Sequence, residues 1–205
     1  MTENELNKIT SKFNDVKPLI EENRVALKNL NKTRKRLKTK RTHYKFIKEI
    51  VEINSAGDKL VNACVDLFKD IGFDKIENVD KKYGEEDIRL WVDDRLIVIE
   101  VTGIDTPNPK QDKTHQISKH IPKRQSQYVE KKVTGLFIVN HDNDKEYKNR
   151  NKKPYDNKIT EIAKSHNYTL MTTIDLLNAY TMIKMEKLKS EEFIEKLCST
   201  GLFKI

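Results

Sequence analysis

A chain of 205 residues is long enough for one domain of ordinary size plus an appendage, with a core large enough to fold alone. Hydrophobic residues at 36% and charged residues at 35% make it polar yet keep it out of the disordered regime, and no apolar run approaches a membrane span. The start, Met1 to Glu5, lacks the basic and apolar regions of a secretory signal, so a cytoplasmic protein is expected.

The formal charge of +8 is unevenly placed. Residues 1–54 carry 14 Lys or Arg against 7 Asp or Glu, whereas the rest of the chain holds 26 against 25. Between Lys28 and Lys48 there are ten basic residues and no acidic one. Such a block reads first as polyanion-binding, with Arg34, Lys35, Arg36, Lys38, Lys40 and Arg41 at its centre. In the same stretch Leu6, Ile9, Phe13, Val16, Ile20, Asn23, Leu27, Leu30, Arg34 and Leu37 recur at 3-4 spacing, a coiled-coil-like seam. That spacing fits a homodimer or partner protein, and equally a helix laid on the chain's own domain. Pro18 is expected to kink the arm or restart it as a second helix. The arm is therefore read as residues 1–54 and the globular domain as 55–205.

Ser55-Ala56-Gly57-Asp58 opens a helix whose apolar positions Leu60, Val61, Cys64, Leu67 and Phe68 end at Gly72. Cys64 and Cys198 have no metal-ligand spacing and read as buried thiols. A first strand is expected over 74–79, then a loop Asp80 to Gly84. Next come two strand-forming runs, 85–92 and 95–102, flanking Val92-Asp93-Asp94-Arg95, the pattern of a hairpin. Glu100 stands in an apolar run, where a carboxylate is costly unless compensated. It points to a metal ion or basic partner, or else to a strand end where it reaches solvent or a nearby Lys or Arg.

Past Gly103 comes a proline-containing loop, then a basic helix from Gln111 to about Lys131, interrupted by Pro122. His115 and His120 on it read as surface or partly packed residues, and Gln116, Gln125 and Gln127 as solvent-facing. Leu136 to Val139 reads as a buried strand, Asp142 and Asp144 as a solvated loop, and Tyr147 to Asn157 as an exposed excursion. A helix over 158–165, a strand over 168–172, a helix capped by Thr173 and a terminal helix from Ser190 to Cys198 complete the chain. The architecture expected is α/β, with strands 74–79, 85–92 and 95–102 antiparallel, residues 135–140 central, and helices on both faces.

Asp87, then Glu100-Val101-Thr102 thirteen residues on, in adjacent strands behind one helix and ahead of another helix and strand, resembles the PD-(D/E)XK nuclease superfamily with its restriction-endonuclease-like core. Ile71-Gly72-Phe73, Val139-Asn140 and Met171 to Leu177 are similar to small prokaryotic members, and the resemblance covers about residues 55–182. It implies a divalent-metal-dependent endonuclease acting on DNA, with Mg²⁺ (or Mn²⁺) held by Asp87, Glu100 and the Val101 carbonyl. Mg²⁺ there would neutralise charge on the phosphoryl oxygens and acidify the attacking water. Where the family pattern has a water-orienting lysine this chain has Thr102. Lys110, Lys113 or Lys119 are the candidates to supply the charge, Lys113 first, and Lys119 also for contact with nucleic acid. Some members use an acid on the preceding helix, where this chain has Val61; Glu52 is the substitute candidate. The alternatives are a catalytically inactive, nucleic-acid-binding subunit that kept the fold, and an effector domain whose arm is a protein-interaction coiled coil.

Overall fold

The computed structural model describes residues 3–79 and 85–205; the expected loop Asp80 to Gly84 lies outside the described residues. The side chains of residues 4–12, 15, 36, 37 and 39–43 also lie outside them, including those of Arg36, Lys40 and Arg41.

Two compact units divide the chain, residues 1–44 and Lys45–Ile205. The first is α1 (Glu3–His43), one helix that runs through Pro18 with neither restart nor break in its assignment. Phe13, Val16, Ile20, Leu27 and Leu30 of the seam are exposed, as are Arg34, Lys35 and Lys38. The second unit begins at Lys45, ahead of the boundary expected at 55. The reason is packing: α2 (Lys45–Val51) buries Phe46 and Ile50 in the core beneath α3 (Gly57–Ile71).

Six strands form one sheet in the order β1 (Ile76–Asn78), β2 (Ile88–Val92), β3 (Arg95–Gly103), β4 (Lys132–Asn140), β5 (Tyr168–Thr172) and β6 (Gly201–Leu202). The first three are antiparallel neighbours and β3 to β6 are parallel. The hairpin, the mixed sheet and the central apolar strand are thus as expected. β4 is buried along Val133–Asn140, as a parallel strand covered on both faces should be. Strand alternation divides the core. Ile97, Ile99 and Val101 of β3 face α2, α3, α7 (Thr173–Lys184) and α8 (Ser190–Leu197). Leu96 and Val98 face α5 (Ile117–Gln127) and α6 (Asn157–Ser165). Full burial of each such Leu or Ile is worth about 1.5–3 kcal/mol.

Several local expectations need correction. The helix after Gly103 breaks at His115-Gln116, between α4 (Gln111–Thr114) and α5, and Pro122 lies inside α5. As the sixth residue of α5, Pro122 has no N–H to give the Ser118 carbonyl, yet the helix continues to Gln127. The α7 cap is Thr172, not Thr173: its hydroxyl accepts from the Asp175 N–H at 3.0 Å while the Asp175 carboxylate accepts the Thr172 N–H at 3.0 Å. Gly201 starts β6, a parallel partner of β5 too short to leave a sequence signal. Cys64 is buried and Cys198 only half-buried. Asp142 is buried rather than solvated, accepting from Lys145 Nζ and the Asn151 N–H at 2.8 Å each.

Two glycines set the approach of helices to the sheet. A Cβ on Gly103 would lie 2.5 Å from the Ser55 carbonyl oxygen and 2.6 Å from Ala56 Cβ, so only glycine lets the turn before α3 close on the end of β3. A Cβ on Gly135 would lie 2.8 Å from Ile117 and 2.9 Å from Ile121, so α5 seats directly on the sheet there. That seat decides what α5 can touch.

Candidate active site

β2 and β3 pair in the register Ile88↔Ile99, and the Asp87 N–H donates to the Ile99 carbonyl at 3.1 Å. Pairing begins at Ile88, so Asp87 lies just ahead of β2 and this bond sets it one position out of register, beside Ile99 and next to Glu100 in the chain of β3. Asp87 turns its carboxylate to β3, where Oδ2 accepts the Val101 N–H at 2.6 Å. A strand residue points its N–H and C=O to the same side, so the Val101 carbonyl faces this corner too. Burial first, and then the charge of Asp87, pushes the Cys64 thiol of α3 well above its ordinary range.

Glu100 follows Leu96 and Val98 on the α5 side of the sheet, and Thr102 comes next on that side. The compensating group is neither Lys nor Arg but His120: its Nε2 lies 3.0 Å from Glu100 Oε1. His120 is not a surface residue; its side chain is 14% exposed and its Nδ1 lies 3.5 Å from Glu86 Oε2. An ionised carboxylate can only accept, so Nε2 carries the proton of that contact.

Behind His120 stands an ion network that inspection of the sequence missed. Glu86, fully buried, accepts from Arg124 through Nε at 2.8 Å and Nη2 at 2.8 Å, and from Arg89 Nε at 2.5 Å. Glu85 adds contacts to Arg89, Arg124 and Lys123. The signal was available: Ile117, His120, Ile121 and Arg124 share one helical face, the face that Gly135 admits to the sheet.

Other expected participants stand elsewhere. Lys113 is exposed on the four-residue α4, and among the described residues its ammonium touches neither Asp87, Glu100 nor Thr102. Lys119 is exposed on α5 beside His120. Glu52 is engaged by Lys48 at 3.1 Å and Lys59 at 2.5 Å, and Val61 is buried in the core. Gln125 is not free for a ligand, since it accepts the Val133 N–H at 3.1 Å and donates to the Lys131 carbonyl at 2.9 Å. His115 stacks edge-on against His166.

Among the described residues no three His, Cys, Asp or Glu side chains converge as a metal-binding group. Asp87, Glu100 and the Val101 carbonyl are all hard oxygen donors. That set fits Mg²⁺, which is commonly held by one or two carboxylates, with water and substrate phosphate completing its shell.

A mixed sheet with an antiparallel hairpin feeding parallel strands, and helices on both faces, is a restriction-endonuclease-like α/β fold. Neither family models nor curated proteins give a match. Restriction endonuclease FokI is structurally similar, with a TM-score of 0.57 at 11% identity, and FokI bound to DNA gives 0.58 at 13%. These alignments take in 78% and 80% of this chain but only 30% of each FokI chain, so the chain spans less than a third of that protein's length. Among the described residues no helix is long and apolar enough to cross a membrane.

Proposed function

We propose that the chain is a divalent-metal-dependent endonuclease that hydrolyses DNA phosphodiester bonds. One observation supports the reading: the Asp87 carboxylate accepts the N–H of Val101, the residue next to Glu100, in a restriction-endonuclease-like fold. Asp87 and Glu100, with the Val101 carbonyl, are the residues that would hold Mg²⁺, or Mn²⁺ in its place. The ion supplies charge neutralisation at the phosphoryl oxygens and a more acidic bound water. The chain's own residues do the rest. The Val101 N–H fixes the rotation of Asp87, and His120 fixes one oxygen of Glu100, so neither carboxylate has to be ordered when substrate arrives. Thr102 presents a hydroxyl able to donate to the attacking water or a phosphate oxygen. It has no charge, so the step gives up a stabilisation worth roughly 10²–10³-fold in rate unless a lysine such as Lys113 swings in.

The same departure favours a second reading, a nucleic-acid-binding subunit without turnover, because no lysine side chain reaches Thr102 among the described residues. Incubation of the protein with duplex, nicked and single-stranded DNA, with and without Mg²⁺ or Mn²⁺, separates them. Cleavage that requires metal and is lost in Asp87→Ala and in Glu100→Ala, with DNA binding retained, supports the nuclease. No cleavage by wild type or by Thr102→Lys, together with no heat of metal binding in calorimetry, supports the binding subunit.

A further inference from the structure

A cleft of about 1030 Å³ opens at the carboxyl ends of β4, β5 and β6. His141 follows β4, Thr172 ends β5, and Phe203 follows β6; all three line it. Asp87, Glu100 and Thr102 contribute nothing to its lining. Six lysines do: Lys148, Lys152 and Lys153 from the segment between β4 and α6, Lys164 from α6, and Lys196 and Lys204 from the chain end. Asp175 is the one carboxylate among them, and its Oδ2 is already engaged in capping α7.

The segment that bears three of these lysines is pinned, not loose. Asp142 accepts the Asn151 N–H, and His141 Nε2 meets the Asn151 carbonyl at 2.7 Å. Arg150, buried, donates to the carbonyls of Lys145 and Val51 and to the Asn140 side chain. Burial of this many polar groups serves to hold the exposed charges in place, and a pre-ordered site pays less entropy on binding. Among the described residues Lys152, Lys153 and Lys204 form no ion pair through their ammonium groups. Tyr147, 46% exposed on the 3₁₀ turn Tyr147–Asn149, adds an aromatic ring at the rim, with Lys148 Nζ 5.9 Å from its centroid.

We infer that this cleft binds a single strand of nucleic acid, its phosphates on the lysines and a base stacked on Tyr147. A basic groove with an exposed ring is the recurrent arrangement for single strands. Lys164 and Lys196 are paired with Glu161 and Glu192, and the other four lysines still exceed what one phosphate group needs; a cleft of this volume admits a few nucleotides of one strand but not the width of a duplex. The site is independent of the metal reading above.

The test uses the full chain in EDTA, where no metal-dependent turnover occurs, and fluorescence anisotropy of a labelled oligothymidylate titrated over a range of salt. Replacing Lys152, Lys153 and Lys204 by Ala should weaken binding about tenfold or more and flatten the log–log salt dependence by about 2, at roughly 0.7 per phosphate contact. Tyr147→Ala should cost about fivefold or more on the single strand and leave duplex affinity unchanged. The charge-reversal pair Lys152→Glu with Lys153→Glu repeats the test, and circular dichroism verifies folding of each variant. Because binding is read in EDTA, loss of the nuclease reading leaves this one standing. Wild-type affinity and slope in the folded lysine variants would overturn the proposal. So would displacement of the oligomer by thymidine monophosphate at the oligomer's own concentration, which marks a nucleotide pocket instead.

Discussion

Arg124 is the residue whose loss should be felt both in stability and in the acidic corner. It is 3% exposed and holds the fully buried Glu86 through three hydrogen bonds. Arg124→Ala removes that fork and leaves Glu86, in a dry setting, with Arg89 and the more distant His120 ring. Breaking a buried pair by deleting one partner costs about 3–5 kcal/mol, because the remaining charge is uncompensated. For a unit of this size each kcal/mol shifts Tm by about 2–4 °C, so a fall of roughly 6–20 °C is expected by calorimetry or circular dichroism. The double variant Glu86→Gln, Arg124→Gln removes both charges and should recover much of that loss, a coupling that a double-mutant cycle measures. Because α5 also carries His120, Arg124→Ala should lower activity even at temperatures where the variant is folded. A Tm within about 2 °C of wild type, or a double variant whose loss equals the sum of the singles, would refute the claim that this network clamps α5 to the site.

His120→Ala should lower metal affinity or cleavage roughly 10–100-fold, the usual effect of removing a group that orients a ligand, and His120→Gln, which keeps an N–H donor, should recover part of it. Gly103→Ala should destabilise by about 1–3 kcal/mol in urea unfolding, since its Cβ has no room beside Ser55 and Ala56. Replacing Arg34, Lys35, Arg36 and Lys38 by Ala should weaken DNA binding across all sequences and flatten the salt dependence; an unchanged slope assigns the block to another role.

The parts of the fold legible in the sequence are those written in periodicity. The alternation of Leu96 to Val101, the apolar run Leu136 to Val139 and the turn at Asp93-Asp94 each specify one element, and the structure has all three. Glu100 was legible as an anomaly, a charge in an apolar strand. Its partner was not, because a histidine on a basic helix looks solvent-facing until Gly135 is known to admit that helix to the sheet. Glu86 was hidden by a different effect. Strand parity would send it to the face of Ile88, but residues 85–87 precede the regular strand, and the chain bends to bring it to Arg124. β6 and the early start at Lys45 were illegible because two residues of strand and a seven-residue helix carry too little pattern to compete with their polar neighbours.

Net charge misled in the same way. Residues 55–205 carry 26 basic against 25 acidic residues, near balance, yet balance is not uniformity. Glu85 and Glu86 are spent internally on Arg89, Lys123 and Arg124, so they do not repel an approaching phosphate as free carboxylates would. The lysines left over gather at the carboxyl ends of the parallel strands, the same sheet edge at which β3 presents Glu100 and Thr102. Open α/β sheets place ligands at that edge because the loops there are free to carry function. The consequence is quantitative: if the arm alone bound nucleic acid, neutralising it would leave single-strand binding nearly independent of salt. With the cleft contributing through Lys152, Lys153 and Lys204, the arm variant should keep a residual slope of about 2 on single strands, and that residue should vanish only when the cleft lysines are replaced as well.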